Sequence, residues 1–161
     1  ITKISPSVVD FDDGITITVD DNSAALTIKS TDADSSNGPI FDLVRDSSSP
    51  ADDDALGMFR FKADNDAGEE TILANIRSIA LDVSDGSEAG RLIFNTMING
   101  NSKNRLDITN EAVIINEASA DSDFRVESNG NANTFIVDGG TDEVRIPHNI
   151  AAQTIPIIYV L

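Results

Sequence analysis

Asp123-Phe124-Arg125-Val126-Glu127-Ser128, Thr134-Phe135-Ile136-Val137-Asp138 and Glu143-Val144-Arg145-Ile146 are three short runs in which apolar and polar residues alternate. Ser128-Asn129-Gly130-Asn131 and Gly139-Gly140-Thr141-Asp142 stand between them, with the Gly and Asn that tight turns demand. A period of two sorts a strand's side chains onto opposite faces. The pattern therefore predicts three strands whose inward pairs are Phe124/Val126, Phe135/Val137 and Val144/Ile146. Each strand buries one or two of these side chains, at about 1.5–3 kcal/mol apiece. Ordering each residue costs about 1.5 kcal/mol in conformational entropy. A ribbon this thin does not stand alone. Its apolar face needs cover, from the rest of the chain or from other chains, and this deficit points to oligomerisation.

Upstream the same grammar continues. Ile15-Thr16-Ile17-Thr18-Val19 alternates cleanly, and Leu26 and Ile28 repeat it after Asp20-Asp21-Asn22-Ser23. A polar loop from Ser30 to Gly38 leads to Pro39-Ile40-Phe41-Asp42-Leu43-Val44, and an acidic loop from Asp46 to Asp54 precedes Gly57 to Ala63. In the latter Phe59, Phe61 and Ala63 share a face. Arg91 to Ile98 sets Leu92, Phe94 and Ile98 on one face, Asn99-Gly100 opens a turn, and Arg105 to Ile108 and Val113 to Asn116 follow as strands. Glu69 to Val83 is ambiguous. Ile72, Leu73, Ile76, Ile79, Ala80 and Val83 fit a helical stripe behind Glu69 and Glu70, while the Ile content favours a strand.

Composition narrows the function. The 161 residues contain no Trp, no Cys and one Tyr, so the core is built from aliphatic residues and seven Phe. That suits a thin core better than a wide one. A net charge of −17, from 28 acidic against 11 basic residues, disfavours nucleic acid and anionic membrane surfaces as partners. The most apolar stretch, Ile155 to Leu161, is too short to span a bilayer, so no membrane insertion is expected. A start at Ile1 rather than Met is expected of a processed chain or a piece of a longer one.

Several phrases in a fixed order resemble the modules of tail fibres of tailed bacteriophages. They are Gly38-Pro39-Ile40-Phe41-Asp42-Leu43 with Arg45-Asp46; Ser49-Pro50-Ala51-Asp52-Asp53-Asp54; Leu56-Gly57 with Phe59-Arg60-Phe61; and Ala67-Gly68-Glu69. Asp85-Gly86-Ser87-Glu88-Ala89-Gly90-Arg91-Leu92, Thr96, Asn99-Gly100 and Arg105-Leu106 continue the series, and the three short runs after Asp123 close it. The resemblance covers residues 25 to 146, and the chain from Pro147 onward departs from it. It implies an all-β fold in which β-meanders replace the helical option for Glu69 to Val83. It also implies an elongated, intertwined homotrimer with a β-meander module and a short-strand triple-β shaft, and a place on the virion exterior, tail or capsid. Phe124, Val126, Phe135, Val137, Val144 and Ile146 would then form the trimer core. The partners expected are two further copies of the chain, other virion proteins, and a host surface receptor or glycan. Relatives often carry a C-terminal self-cleaving chaperone, and none is visible here.

Enzyme signatures are absent, and neither a catalytic residue nor a cofactor is expected. One histidine, His148, and no cysteine leave little material for a nucleophilic triad. Three His148 side chains meeting on a trimer axis are a candidate metal site; an ordinary loop histidine is the plainer reading. Carboxylates abound, but a glycosidase cleft uses aromatic walls, for which this chain has little material. Asp32 to Gly38 begins like a calcium loop, yet its Gly falls one place late and Leu43 replaces the closing Glu. Asp10 to Gly14 and Asp52 to Asp54 read as solvated acidic loops. Gly139-Gly140 lacks the following Lys-Ser/Thr of a phosphate loop and is a turn.

The expected organisation is an N-terminal β segment at 1–30, a β-meander module at 31–110, a short-strand shaft at 111–146, and a C-terminal strand or junction at 147–161. The expected function is a trimeric tail-fibre or spike segment that supports host attachment. A capsid decoration or head-fibre protein, or a bacterial β-repeat adhesin, are the alternatives.

Overall fold

The computed structural model describes residues 14–146. Two compact units divide the chain after Asp42. In the first, residues 14–42 form no strand, although the alternation at Ile15–Val19, at Leu26 and Ile28, and at Ile40 predicts strands there. Alternation only gives a segment two faces; a strand also needs a neighbour to satisfy its N–H and C=O groups. No other segment pairs with these among the described residues, and Ile15, Ile17, Leu26 and Ile40 are exposed. Local order comes instead from Asp side chains that accept backbone N–H bonds two residues on. Asp21 accepts from Ser23 and Asp34 from Ser36, each at 2.8 Å. Asp32 accepts from Asp34 at 3.3 Å, so the stretch resembling a calcium loop spends these carboxylates on its own turns.

The second unit opens at Leu43 and holds two antiparallel sheets. The first is a five-stranded meander of β1 (Asp54–Asp64), β2 (Glu70–Asp82), β3 (Ala89–Ile98), β4 (Asn101–Ile108) and β5 (Val113–Ile115). The second is a three-stranded meander of β6 (Phe124–Ser128), β7 (Asn131–Asp138) and β8 (Glu143–Arg145). The fold is all-β, and the Glu69–Val83 stretch that also fits a helical stripe is β2. Neighbouring strands on both sides of it settle that ambiguity, because pairing satisfies its backbone along nearly its whole length. The first sheet runs to Ile115, past the module end expected at Asn110.

Turn chemistry explains the meander. Asn99 and Gly100 adopt φ of 47° and 76°, the paired positive angles of a tight two-residue hairpin. Between β1 and β2, Asn65 Oδ1 accepts the N–H groups of Ala67 at 3.0 Å and Glu69 at 2.9 Å. Bulges at Leu56 on β1, Leu73 and Leu81 on β2, and Arg105 on β4 each insert one residue and reset the register beyond them.

Register then fixes the faces. On one face of the first sheet Phe59, Ile76, Phe94, Leu106 and Ile115 lie in a line across the five strands, beside Leu92, Ile108 and Val113. The opposite face carries Met58, Arg77, Ile93, Asp107 and Ile114 in one line, and Arg60, Asn75, Asn95 and Asn104 in the next. Ile93, wholly buried, is the centre of that second face.

Candidate functional site

Two features of the second unit stand out. One is an apolar face with too little cover; the other is a polar layer on the reverse of the first sheet.

The apolar face is clearest in the second sheet. Phe124, Val137 and Val144 face one another across β6, β7 and β8, and Val126 pairs with Phe135 in the next row. Phe124 and Phe135 meet edge to face with centroids 6.1 Å apart. The sequence-predicted inward pairs thus share one side, with Ile146 following β8. Within a single chain that side is open: Val144 is 66% exposed and Ile146 71%. Phe124, Val126 and Val137 are also exposed, and Phe135 is half-buried. The one buried hydrophobic residue of this sheet, Ile136 at 7%, lies on the other side between Arg125 and Arg145. The alternation predicts sidedness but not cover. Ile136 lies between the long stems of Arg125 and Arg145, its neighbours in register, whereas among the described residues nothing reaches across the opposite side.

The open face continues into the first sheet. Ile115 on β5 joins Phe124, Phe135 and Val137 in lining a groove of ≈ 340 Å³. Beyond it Leu92 and Val113 are exposed on the same face of the first sheet. At its far end Leu43 covers Gly57, where an added Cβ would sit 3.0 Å from the Leu43 side chain.

A hydrogen-bonded junction joins the two sheets at this groove. Asn116 takes a positive φ of 63°, donates from Nδ2 to the Ala120 carbonyl at 2.8 Å and accepts the Ala120 N–H at 3.1 Å. Arg105, the bulged residue of β4, donates to Thr96 Oγ1 at 2.7 Å and to Ser122 Oγ at 2.6 Å. Gly139 lies so close to the connecting chain that a Cβ there would stand 2.6 Å from the Ser122 carbonyl oxygen. Its role is close approach of two backbones, in keeping with the sequence reading of a turn.

The polar layer centres on Asp107, whose side chain is 1% exposed. Arg91 grips it with two bonds, Nε to Oδ1 at 2.7 Å and Nη2 to Oδ2, and Asn104 Nδ2 adds a third at 3.3 Å. The hydrogen bonds from Arg91 hold the Asp107 carboxyl below its ordinary range, outweighing the opposite effect of burial. Asn95 Nδ2 donates to Asn104 Oδ1 at 2.5 Å. Beside this network Asn75 Oδ1, Asn95 Oδ1 and Arg77 Nε are buried without a hydrogen-bond partner among the described residues.

The sequence reading missed this layer. The available signal was Arg91 and Asn95 flanking Ile93 on one face of a strand, which asks what a charged and an amide side chain do beside a buried Ile.

His148 and the Asp10–Asp13 part of the acidic N-terminal cluster lie outside the described residues. Asp52 Oδ1 accepts the Val83 N–H at 3.0 Å, and Asp54 pairs with Arg45 at 2.8 Å, so this acidic run is tied into the fold. Among the described residues no group of three or more His, Cys, Asp and Glu side chains is arranged to hold a metal ion. Compared with models of protein families, with curated proteins and with solved structures, the chain matches none.

Proposed function

We propose that the chain is a segment of an elongated homotrimeric fibre or spike on the outside of a virus particle, with a structural role that supports host attachment. The observation that carries this reading is the open apolar side of the second sheet. Phe124, Val126, Val137, Val144 and Ile146 form a contiguous exposed patch on strands too short to be stable alone. Association of identical chains about an axis covers such a patch on every copy at once. The count of three and the viral setting come from the resemblance to phage tail-fibre modules. No covalent chemistry is required, and the mechanism is mechanical. Interchain burial stiffens the rod, while the surplus of 28 acidic over 11 basic residues keeps neighbouring rods apart.

Light scattering on the purified chain at micromolar concentration tests the assembly. The expected mass is three times the 17.1 kDa of one chain. A monomer at that concentration refutes it. Antibody labelling of intact particles, viewed by electron microscopy, tests the location; label on the tail or the capsid exterior supports the reading, and its absence from particles overturns it.

A further inference from the structure

The buried polar atoms that lack partners are not scattered. Asn75 and Asn95 face each other across β2 and β3, and Asn95 faces Asn104 across β3 and β4. Arg77 lies one row along the same face. With Met58 and Ser102 these four residues line a groove of ≈ 260 Å³ on the face opposite the apolar one. Asn95 is only 6% exposed, yet its Oδ1 has no partner. Buried polar atoms are ordinarily satisfied, and leaving several together unsatisfied is costly. Three in one groove mark a place built to meet polar groups from outside the chain.

Their chemistry selects the visitor. An apolar ligand leaves all three atoms unpaired. An anion meets the carbonyl ends of two Asn side chains and a chain of net charge −17. A cation meets Arg77. An extended peptide docks by its backbone at a sheet edge, whereas this groove lies on a sheet face. A hydroxyl both donates and accepts, so it satisfies an amide oxygen, an amide nitrogen or a guanidinium N–H alike. Several hydroxyls on a rigid frame satisfy all three atoms with little loss of freedom. We propose that this groove binds a neutral polyhydroxylated ligand, a sugar unit, with Asn75 and Asn95 receiving its hydroxyls, Arg77 Nε donating to one, and Met58 packing against its C–H face. The site rests on the assembly reading in one respect: other chains cover the apolar face and leave this one open.

With no aromatic platform in the groove, binding at one site is expected at about 1–10 mM. Saturation-transfer difference NMR on the intact chain, with glucose, galactose and N-acetylglucosamine as neutral probes and glucuronate and glucosamine as charged ones, reads this directly. The expected result is saturable transfer to at least one neutral sugar, weaker by about tenfold or more in Arg77→Gln. Ser102→Trp, which fills the groove from its exposed rim, should abolish it without touching the Asp107 network. No saturable transfer from any neutral sugar, meaning that water alone serves these atoms, overturns the proposal. So does transfer that survives both substitutions, or that favours the charged sugars. Light scattering on the same samples keeps the two readings apart. A monomer that binds sugar sinks the assembly alone, and a trimer that does not bind sugar sinks the site alone.

Discussion

Val144→Thr separates a chain that buries its open face against copies of itself from one that leaves that face in water. Val144 pairs with Val137 on β8 and β7, and in the single chain it is 66% exposed. The substitution exchanges one methyl for a hydroxyl at nearly constant volume, and both residues are β-branched strand formers. In an isolated chain the hydroxyl stays hydrated, and the expected change is within about 0.5 kcal/mol. In an assembly that covers the face, the hydroxyl loses water and gains no partner, at about 1–3 kcal/mol per chain. Three copies bring this to about 3–9 kcal/mol per trimer, or roughly 10²–10⁶ in the association constant.

Sedimentation equilibrium over a range of concentrations measures that constant. Arg125→Lys is the control, because Arg125 points to the other side of β6, where a lysine stem still lies beside Ile136 and the pair with Glu127 at 3.2 Å is solvent-exposed. Such a pair contributes about 0–1 kcal/mol, so association of this variant should stay close to that of the parent chain. Association of Val144→Thr within about threefold of the parent would refute the burial of this face. Equal loss in Arg125→Lys would refute the sidedness.

Other perturbations probe the first sheet and the junction. Asp107→Asn leaves the Arg91 guanidinium without its carboxylate and is expected to lower stability by about 3 kcal/mol in urea denaturation. The wild-type pH profile has a definite sign. The folded Asp107 carboxyl titrates below its ordinary 3.8, so its stabilisation is complete above that value and is lost as pH falls through the folded one. The urea midpoint should therefore drop more steeply below about pH 4 in wild type than in Asp107→Asn, and parallel profiles would count against the pair. Gly139→Ala drives a Cβ to 2.6 Å from the Ser122 carbonyl oxygen and 2.8 Å from its nitrogen, both backbone atoms that cannot swing aside. The expected cost is about 1–3 kcal/mol, with faster proteolysis between Asn116 and Asp123. Gly90→Ala meets nothing within 4 Å and should leave both measurements unchanged.

Strand positions were legible in the sequence because period-two alternation and turn residues are local. Asn99-Gly100, Asn129-Gly130 and Gly139-Gly140 mark hairpins within a residue or two of where β3, β6 and β7 end. Sidedness was legible for the same reason, and the pairs named from Phe124 to Val144 do share a face. Whether an alternating segment forms a strand is a different matter, since it depends on a partner that the segment does not encode. Ile15–Val19 alternates as cleanly as Phe124–Glu127, yet only the latter has a neighbour in register.

The polar groove was illegible for a further reason, which lies in the bulge at Arg105. From Phe94↔Leu106 an unbroken ladder would set Asn95 against Arg105 and Thr96 against Asn104. The extra residue instead brings Asn104 opposite Asn95 and completes the row that begins at Asn75. It also frees Arg105 to reach Thr96 and Ser122, and so to brace the junction with the second sheet. Bulging Arg105 out of the ladder therefore keeps the amide row of the groove in register and turns the arginine to the support beneath the open apolar face. Deleting Arg105 would leave Asn104 opposite Asn95 in a regular ladder, so the Asn95–Asn104 bond should survive while the ties to Thr96 and Ser122 are lost. Loss of the Asn95–Asn104 bond in that variant, read from the side-chain amide signals by NMR, would refute this account of the register.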